Sequence, residues 1–192
     1  MSEFPSVAID PTAQLGWFFD VDSERSLTRI DLVTGSTSEF ALSVADRDPL
    51  SVLADPANER LLFATTAPIN PEGNQLEVFA LDYDGGSPEL LATVAVGVDA
   101  VSILNHAIQM ALSADSNTLF VPLPDTQRIA VVDFVAGSGQ VIGAPVPDDG
   151  LVSFSTGISI TVASDNRLFF ANGEDGLIAT DSLTGTRVLL SR

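Results

Sequence analysis

The feature that most constrains this chain is a pattern that returns four times along its 192 residues. In each copy an apolar, alternating stretch ends in an aspartate, a short turn follows, and a second apolar stretch begins. These aspartates are Asp10, Asp55, Asp115 and Asp165, which lie 45 to 60 residues apart. A later strand of each copy ends in a second aspartate that is followed within four positions by a glycine: Asp31, Asp82, Asp133 and Asp181. The chain is therefore built from repeats.

A period of this length with several short strands in each copy is typical of propeller blades. The segments are rich in Val, Ile, Leu and Phe, with Gly, Pro, Asn or Asp between them, and none shows a helical period. We predict an all-β fold, a β-propeller of four four-stranded antiparallel blades. The blades cover about residues 4–43, 49–96, 106–144 and 157–191 of a single domain, 1–192, which stands alone or forms part of a larger propeller.

The repeated aspartates are predicted to form turns. A carboxylate at a strand end can accept hydrogen bonds from backbone amides two residues on, and a glycine supplies the positive φ that a tight hairpin needs. All four copies carry these residues alike, whereas a catalytic residue is usually unique. We therefore predict turn chemistry for the aspartates rather than catalysis.

The last copy carries a resemblance to a known family. Residues 165–191 give a strand, an aromatic strand, a loop, an Asp-x-x-Thr-Gly element and a closing strand, which resembles the repeat of NHL/YWTD-type bacterial propellers. Thr34-Gly35 and Thr184-Gly185 match the Thr-Gly element, while Gly85 and Gly137 follow Asp and Ala and depart from it. The resemblance implies an architecture that hydrolases, receptors and inert scaffolds share, so it says little about activity.

Charge and composition exclude several partners. The chain has 26 acidic and 8 basic residues and a net charge of −18, which repels nucleic acid and anionic lipid, so neither is expected as a partner. It has no cysteine and one histidine, which excludes disulfides and zinc sites built from several His or Cys side chains. Residues 1–9 do not resemble a signal peptide and no apolar run has membrane-spanning length. The compartment stays open, with a secreted or periplasmic location favoured.

Acidic residues concentrate on one predicted face of the propeller. The loops between second and third strands and the loops between blades share this face, and they hold twelve of the 26 acidic residues. Calcium prefers six to eight oxygen ligands, and several loop residues offer them, although none of the loops matches an EF-hand. The candidate metal ligands are Asp20, Asp22 and Asp175, and the candidate ligand-binding residues are His106, Asp148 and Asn172.

These observations leave two functional hypotheses. The first is a non-catalytic binding or scaffold module that recognises a protein or small-molecule ligand on the acidic face, completed by a second copy or by further blades. The second is a calcium-dependent, lactonase- or esterase-like hydrolase with the metal at the channel mouth, as the resemblance implies for some propellers. Any Ser-His-Asp triad would need His106, and no Gly-x-Ser-x-Gly motif is present. Calcium is the one cofactor that the sequence suggests.

Overall fold

The computed structural model describes residues 6–20, 26–42, 51–69, 73–97, 109–123, 126, 128–143, 159–165, 167–172 and 176–191. In these ranges the chain is all-β, as predicted, apart from one short 3-10 helix, Pro56–Asn58. Within the same ranges no helix is long and apolar enough to cross a membrane. The strands follow one another in four antiparallel groups, which we call units 1 to 4.

The strands of the units have the following bounds. Unit 1 contains β1 (Ser6–Asp10), β2 (Leu15–Asp20), β3 (Ser26–Asp31) and β4 (Thr37–Ala41). Unit 2 contains β5 (Ser51–Asp55), β6 (Arg60–Ile69), β7 (Gly73–Asp82) and β8 (Glu89–Gly97). Unit 3 contains β9 (Ala111–Leu112), β10 (Thr118–Leu123), β11 (Arg128–Asp133) and β12 (Ser138–Ile142). Unit 4 contains β13 (Ser159–Val162), β14 (Arg167–Asn172), β15 (Gly176–Asp181) and β16 (Arg187–Ser191).

The four units do not form four separate sheets. Units 1 and 4 are each a four-stranded sheet, whereas units 2 and 3 share one eight-stranded sheet. A single parallel pair, Ser138 with Thr93, joins β12 to β8. The outer strand of unit 3 therefore begins close enough to the outer strand of unit 2 for their backbones to pair. We predicted four separate four-stranded sheets, and the structure has three sheets of four, eight and four strands in the described residues.

The hydrophobic core lies between successive units, in three clusters. Trp17 and Phe19 of unit 1 pack against Phe63 of unit 2. Leu62 of unit 2, which neighbours Phe63 in sequence, belongs to the cluster between units 2 and 3. Successive strand residues point to opposite faces of a sheet, so β6 supplies both clusters. The third cluster joins unit 3 to unit 4, with residues such as Phe120, Leu168, Phe170 and Ile178.

The turn aspartates behave as predicted. The Oδ1 atom of Asp31 accepts hydrogen bonds from the amides of Val33 and Thr34, at 2.9 and 2.8 Å. The same pair of bonds recurs at Asp133, at 2.8 and 2.9 Å, and at Asp181, at 3.0 and 2.8 Å. Two aspartates depart from the pattern. Asp55 Oδ2 accepts from Asn58 Nδ2 and Arg60 Nε, each at 2.8 Å, and at Asp82 the backbone carbonyl rather than the carboxylate accepts from the turn, from the amide of Gly85 at 2.9 Å. The carboxylates thus fix the loops that connect the strands.

The turns between third and fourth strands also set the contact between units. At Gly185 the backbone φ is +73°, and a Cβ atom there would lie 2.5 Å from the Cα atom of Gly143 in the unit before it. Gly35 in unit 1 has the same φ of +73°, yet a Cβ atom there would meet nothing within 4 Å. The two glycines share one backbone conformation and differ in whether a neighbouring unit lies against them.

We expect Gly35→Ala and Gly185→Ala to separate backbone strain from contact between units. Both substitutions should cost about 1–2 kcal/mol, because an alanine in the left-handed region is strained. Gly185→Ala should cost more, because its methyl group would also push unit 4 away from Gly143. Urea unfolding of the two variants and the wild type measures the difference. Equal losses of stability in the two variants would show that the close approach at Gly185 contributes nothing.

Candidate functional site

The residues that the sequence predicted for a site are not brought together by the described part of the chain. Asp22, His106, Asp148 and Asp175 lie outside the described residues. Asp20 ends β2 and Asn172 ends β14, and only the backbone positions of these two are described. In the described ranges no group of three or more His, Cys, Asp or Glu side chains could hold a metal ion. The predicted metal and ligand residues therefore stay predictions.

A different site emerges from the joints between units, beginning with units 1 and 2. Tyr83 follows the turn aspartate Asp82, and its ring lies 4.4 Å from the ring of Trp17 in unit 1, centroid to centroid. The Tyr83 hydroxyl donates a hydrogen bond of 2.9 Å to Asp10 Oδ2. Arg29 Nη1 donates to the backbone carbonyl of Tyr83 at 3.1 Å. An aromatic side chain from one unit thus fills a space in the face of the unit before it.

The Tyr83–Asp10 pair is buried and electrostatically matched. Burial acts to raise the pKa of Asp10, but the amide of Ala13, the Tyr83 hydroxyl and the amide of Thr12 outweigh it, so this pKa lies below its usual value. Burial, followed by the hydrogen bond to Asp10, raises the pKa of Tyr83 well above its usual value. At neutral pH an ionised carboxylate therefore accepts a hydrogen bond from a neutral phenol.

The joint between units 2 and 3 uses a second aromatic side chain. Phe134 follows the turn aspartate Asp133, and the guanidinium of Arg60 in unit 2 lies 5.3 Å from its ring centroid. Arg60 Nε in turn donates to the buried carboxylate of Asp55 at 2.8 Å. A cation over an aromatic face is favourable, most of all where water is excluded. The residue after the turn aspartate again packs against the preceding unit.

The strand ladders show which residues correspond at each joint. In all four units the second strand begins opposite the aspartate that ends the third strand. The pairs are Leu15–Asp31, Arg60–Asp82, Thr118–Asp133 and Arg167–Asp181. Two residues further along their strands, Trp17 of β2 and Phe120 of β10 therefore occupy equivalent places. The residues that follow the turn aspartates are Leu32, Tyr83, Phe134 and Ser182. The joint between units 3 and 4 thus has a serine where the two preceding joints have an aromatic ring.

A groove lies at that third joint. It has a volume of about 440 Å³ and is open to solvent. Its walls come from β10, β11, β12 and the adjoining turns of unit 3, and from the turn of unit 4. The residues that line it include Ser113, Asp115, Phe120, Val131, Gln140, Ser182 and Leu183. Because Ser182 is short, the space that Tyr83 and Phe134 occupy at the other joints is left open here.

The groove is equipped to accept hydrogen bonds. Asp115 Oδ1 accepts from Ser113 Oγ at 2.6 Å and from the amide of Asn117 at 3.2 Å. The Ser113 hydroxyl, followed by the amide and side chain of Asn117, lowers the pKa of Asp115. The carboxylate is therefore ionised at neutral pH and suited to accept a hydrogen bond rather than to donate a proton. Phe120 and Val131 provide the apolar part of the lining.

Sequence reasoning missed this groove because it compared what the repeats share. The signal lay in the one position where they differ, the residue after the second aspartate of each copy. An aromatic residue at two of these positions and a serine at the last indicates that one joint lacks its filling side chain. Only the contacts of Tyr83 and Phe134 in the folded chain show that the position faces a neighbouring unit.

Comparison with known proteins bears on the fold. No protein-family model matches the chain, and no curated protein matches it. A chain of a nidogen/laminin complex matches with a TM-score of 0.64 at 14% identity, over 96% of this chain and 62% of that one. A functionally unknown protein from Desulfotomaculum acetoxidans matches with a TM-score of 0.58 at 14% identity, over 99% and 55%. Hydrazine synthase from Kuenenia stuttgartiensis matches with a TM-score of 0.55 at 14% identity, over 93% and 58%.

These likenesses show the fold alone, because identity is low in every case. The chain is all-β and propeller-like, which confirms the coarse prediction from the repeats. It spans less than two thirds of the length of these three chains, since it covers 62%, 55% and 58% of them. No family match supports the finer resemblance to NHL/YWTD-type repeats.

We expect Tyr83→Phe to destabilise the protein by about 1–3 kcal/mol at pH 7, because it leaves the buried Asp10 oxygen without its donor. The pKa of folded Asp10 lies below 3.8, so the stability that ionisation gives is present above that pH and is lost below it. The difference between variant and wild type should therefore shrink as the pH falls below 3.8. Urea unfolding at several pH values measures it, and Asp10→Asn with the double variant isolates the pair. A pH-independent difference would mean that packing, not the hydrogen bond, is lost.

Proposed function

We propose that the chain is a non-catalytic propeller module of four blades, one to each unit, that binds a small molecule in the groove between units 3 and 4. The loop-rich acidic face, with His106, Asp148 and Asn172, is the proposed surface for a protein partner. The groove carries the proposal, because it is an open space of about 440 Å³ at a position that packing fills in two sister joints. Pockets that hold small ligands measure roughly 300–1,000 Å³.

The groove lining supports binding rather than chemistry. Ser113, Gln140 and Ser182 offer hydroxyl and amide groups beside the apolar Phe120, a mixture that orients a ligand. Asp133 also lines the groove, and its Oδ1 atom is engaged by the amides of its own turn, as is that of Asp115. Asp115, whose pKa is lowered by the hydrogen bonds it accepts, is not suited to act as a general acid. The nidogen/laminin neighbour is itself part of a protein complex, which is consistent with a binding module.

A fragment screen followed by amide chemical shifts tests the proposal. We expect at least one small molecule to shift the amide signals of Ser138, Gln140 and Ser182 in a saturable way, because these residues line the groove. The exposed Val33 in the equivalent turn of unit 1 is the internal control and should not move. A library that leaves all three groove signals unchanged would remove the support for binding there. Light scattering on the same samples tests for a second copy.

The second candidate function is a calcium-dependent hydrolase with Asp20, Asp22 and Asp175 as metal ligands. One observation favours it: Asp20 and Asn172 end β2 and β14 at equivalent places, each opposite the first residue of the next strand, Ser26 and Gly176. Residue types with side-chain oxygens thus end the second strands of two units at equivalent register positions. Calcium bound there would polarise an ester carbonyl.

Melting after exhaustive chelation, with and without calcium at constant ionic strength, tests the second candidate. A site filled 100-fold above its dissociation constant should stabilise the protein by about 2.7 kcal/mol and raise the melting temperature by several degrees. The shift should be absent with magnesium and lost in Asp20→Asn with Asp22→Asn, and lactones and esters should then be screened. A melting temperature that calcium does not change would contradict both the metal site and the hydrolase that depends on it.

A further inference from the structure

The filled joint between units 1 and 2 serves as an internal template for the ligand of the open joint. In the filled joint the occupant is a phenol, whose ring lies on Trp17 and whose hydroxyl donates to Asp10 at 2.9 Å. In the open joint Phe120 takes the place of Trp17 in the strand ladder, and Ser182 takes the place of Tyr83. The framework that receives a phenol is therefore repeated, while the phenol itself is missing.

The acceptor of the open joint is present in a modified form. Ser113 bonds to the first residue of β10, as Asp10 pairs with the first residue of β2, so a hydroxyl stands in the place of the Asp10 carboxylate. Ser113 donates to Asp115 at 2.6 Å, and both residues line the groove. The carboxylate of the open joint is thus that of Asp115, two residues after the position that corresponds to Asp10, and it lines the groove beside Ser113.

We infer that the groove binds a small para-substituted phenol, with the ring against Phe120 and the hydroxyl donating to Asp115. This inference rests on the proposed binding function and narrows it to one ligand class. An anionic ligand is disfavoured, because Asp115 and Asp133 line the groove and the chain carries a net charge of −18. A neutral donor on a flat apolar ring matches both walls, because aromatic rings pack well on one another and an ionised acceptor strengthens the hydrogen bond.

Matched probes on the wild-type protein give the direct test. p-Cresol and toluene differ by one hydroxyl, and 4-methylbenzylamine replaces the hydroxyl by a cation. We expect p-cresol to shift the amide signals of Gln140 and Ser182 and to bind about ten-fold or more tightly than toluene, the worth of one hydrogen bond to a charged acceptor. In Asp115→Asn this preference should shrink toward equality. Equal binding of p-cresol and toluene, or tighter binding of the amine, would overturn the phenol assignment.

A cavity-filling variant gives an independent test. Ser182→Tyr should raise the melting temperature and abolish p-cresol binding, because the new side chain occupies the groove from within. Leu32→Tyr is the matched control: it places the same residue at the equivalent turn of unit 1, where Leu32 is 50% exposed, and should leave the melting temperature and p-cresol binding unchanged. Equal effects in both variants would show that the groove is not the site.

The outcomes separate this inference from the proposed function. If other fragments shift the groove signals while p-cresol does not, the phenol assignment fails and the binding function stands. If neither p-cresol nor any fragment shifts them, both fail. If p-cresol binds and Ser182→Tyr blocks it, both hold.

Discussion

The turn that follows the third strand of each unit is the constraint on which the packing of this molecule depends, and in units 1, 3 and 4 the carboxylate of its aspartate accepts from two amides of that turn. By holding two amides of its turn, a carboxylate such as that of Asp133 fixes the direction in which the next side chain leaves the backbone. That side chain meets the face of the preceding unit. Tyr83 and Phe134 leave this turn and fill the joints with the preceding units, whereas Ser182 leaves a groove. The residue after this turn aspartate therefore decides both how the units pack and where the candidate site lies.

The strands and turns were predictable because their causes are local. Alternating apolar residues and a turn aspartate act within a few positions, so segments such as Ser6–Asp10 and Arg187–Ser191 follow closely from the sequence. The backbone pair between Ser138 and Thr93 was not predictable, because it depends on the distance between two outer strands that are remote in sequence. The groove escaped for a similar reason: Ser182 is an ordinary residue until the register shows which side chains it replaces.

The predicted site residues were less certain than the strands, because they were identified by residue type in loops rather than by a local pattern. Loops carry function more often than strands, but their geometry is set by tertiary contacts rather than by local pattern. His106 and Asp148 lie outside the described residues and remain predictions, while the groove is defined by the described residues that line it. The strong acidity of the chain also has a clearer meaning in the structure. Some of the acidic residues, such as Asp31 and Asp181, accept hydrogen bonds from turn amides, so their number alone does not indicate a metal site.

The single backbone pair between units 2 and 3 implies that the units do not open with equal ease. The middle joint combines a continuous sheet with a hydrophobic cluster, and the first joint combines a cluster with the Tyr83 contacts. Among the described residues unit 4 packs on unit 3 alone, through the third hydrophobic cluster, and this joint has neither a shared sheet nor an aromatic side chain from the turn but a groove, with Val188 and Leu190 exposed on the far side of the unit. Amide protons should therefore exchange soonest in unit 4, through local detachment. A ligand in the groove would act as a clasp, holding the most loosely attached unit to the rest of the fold.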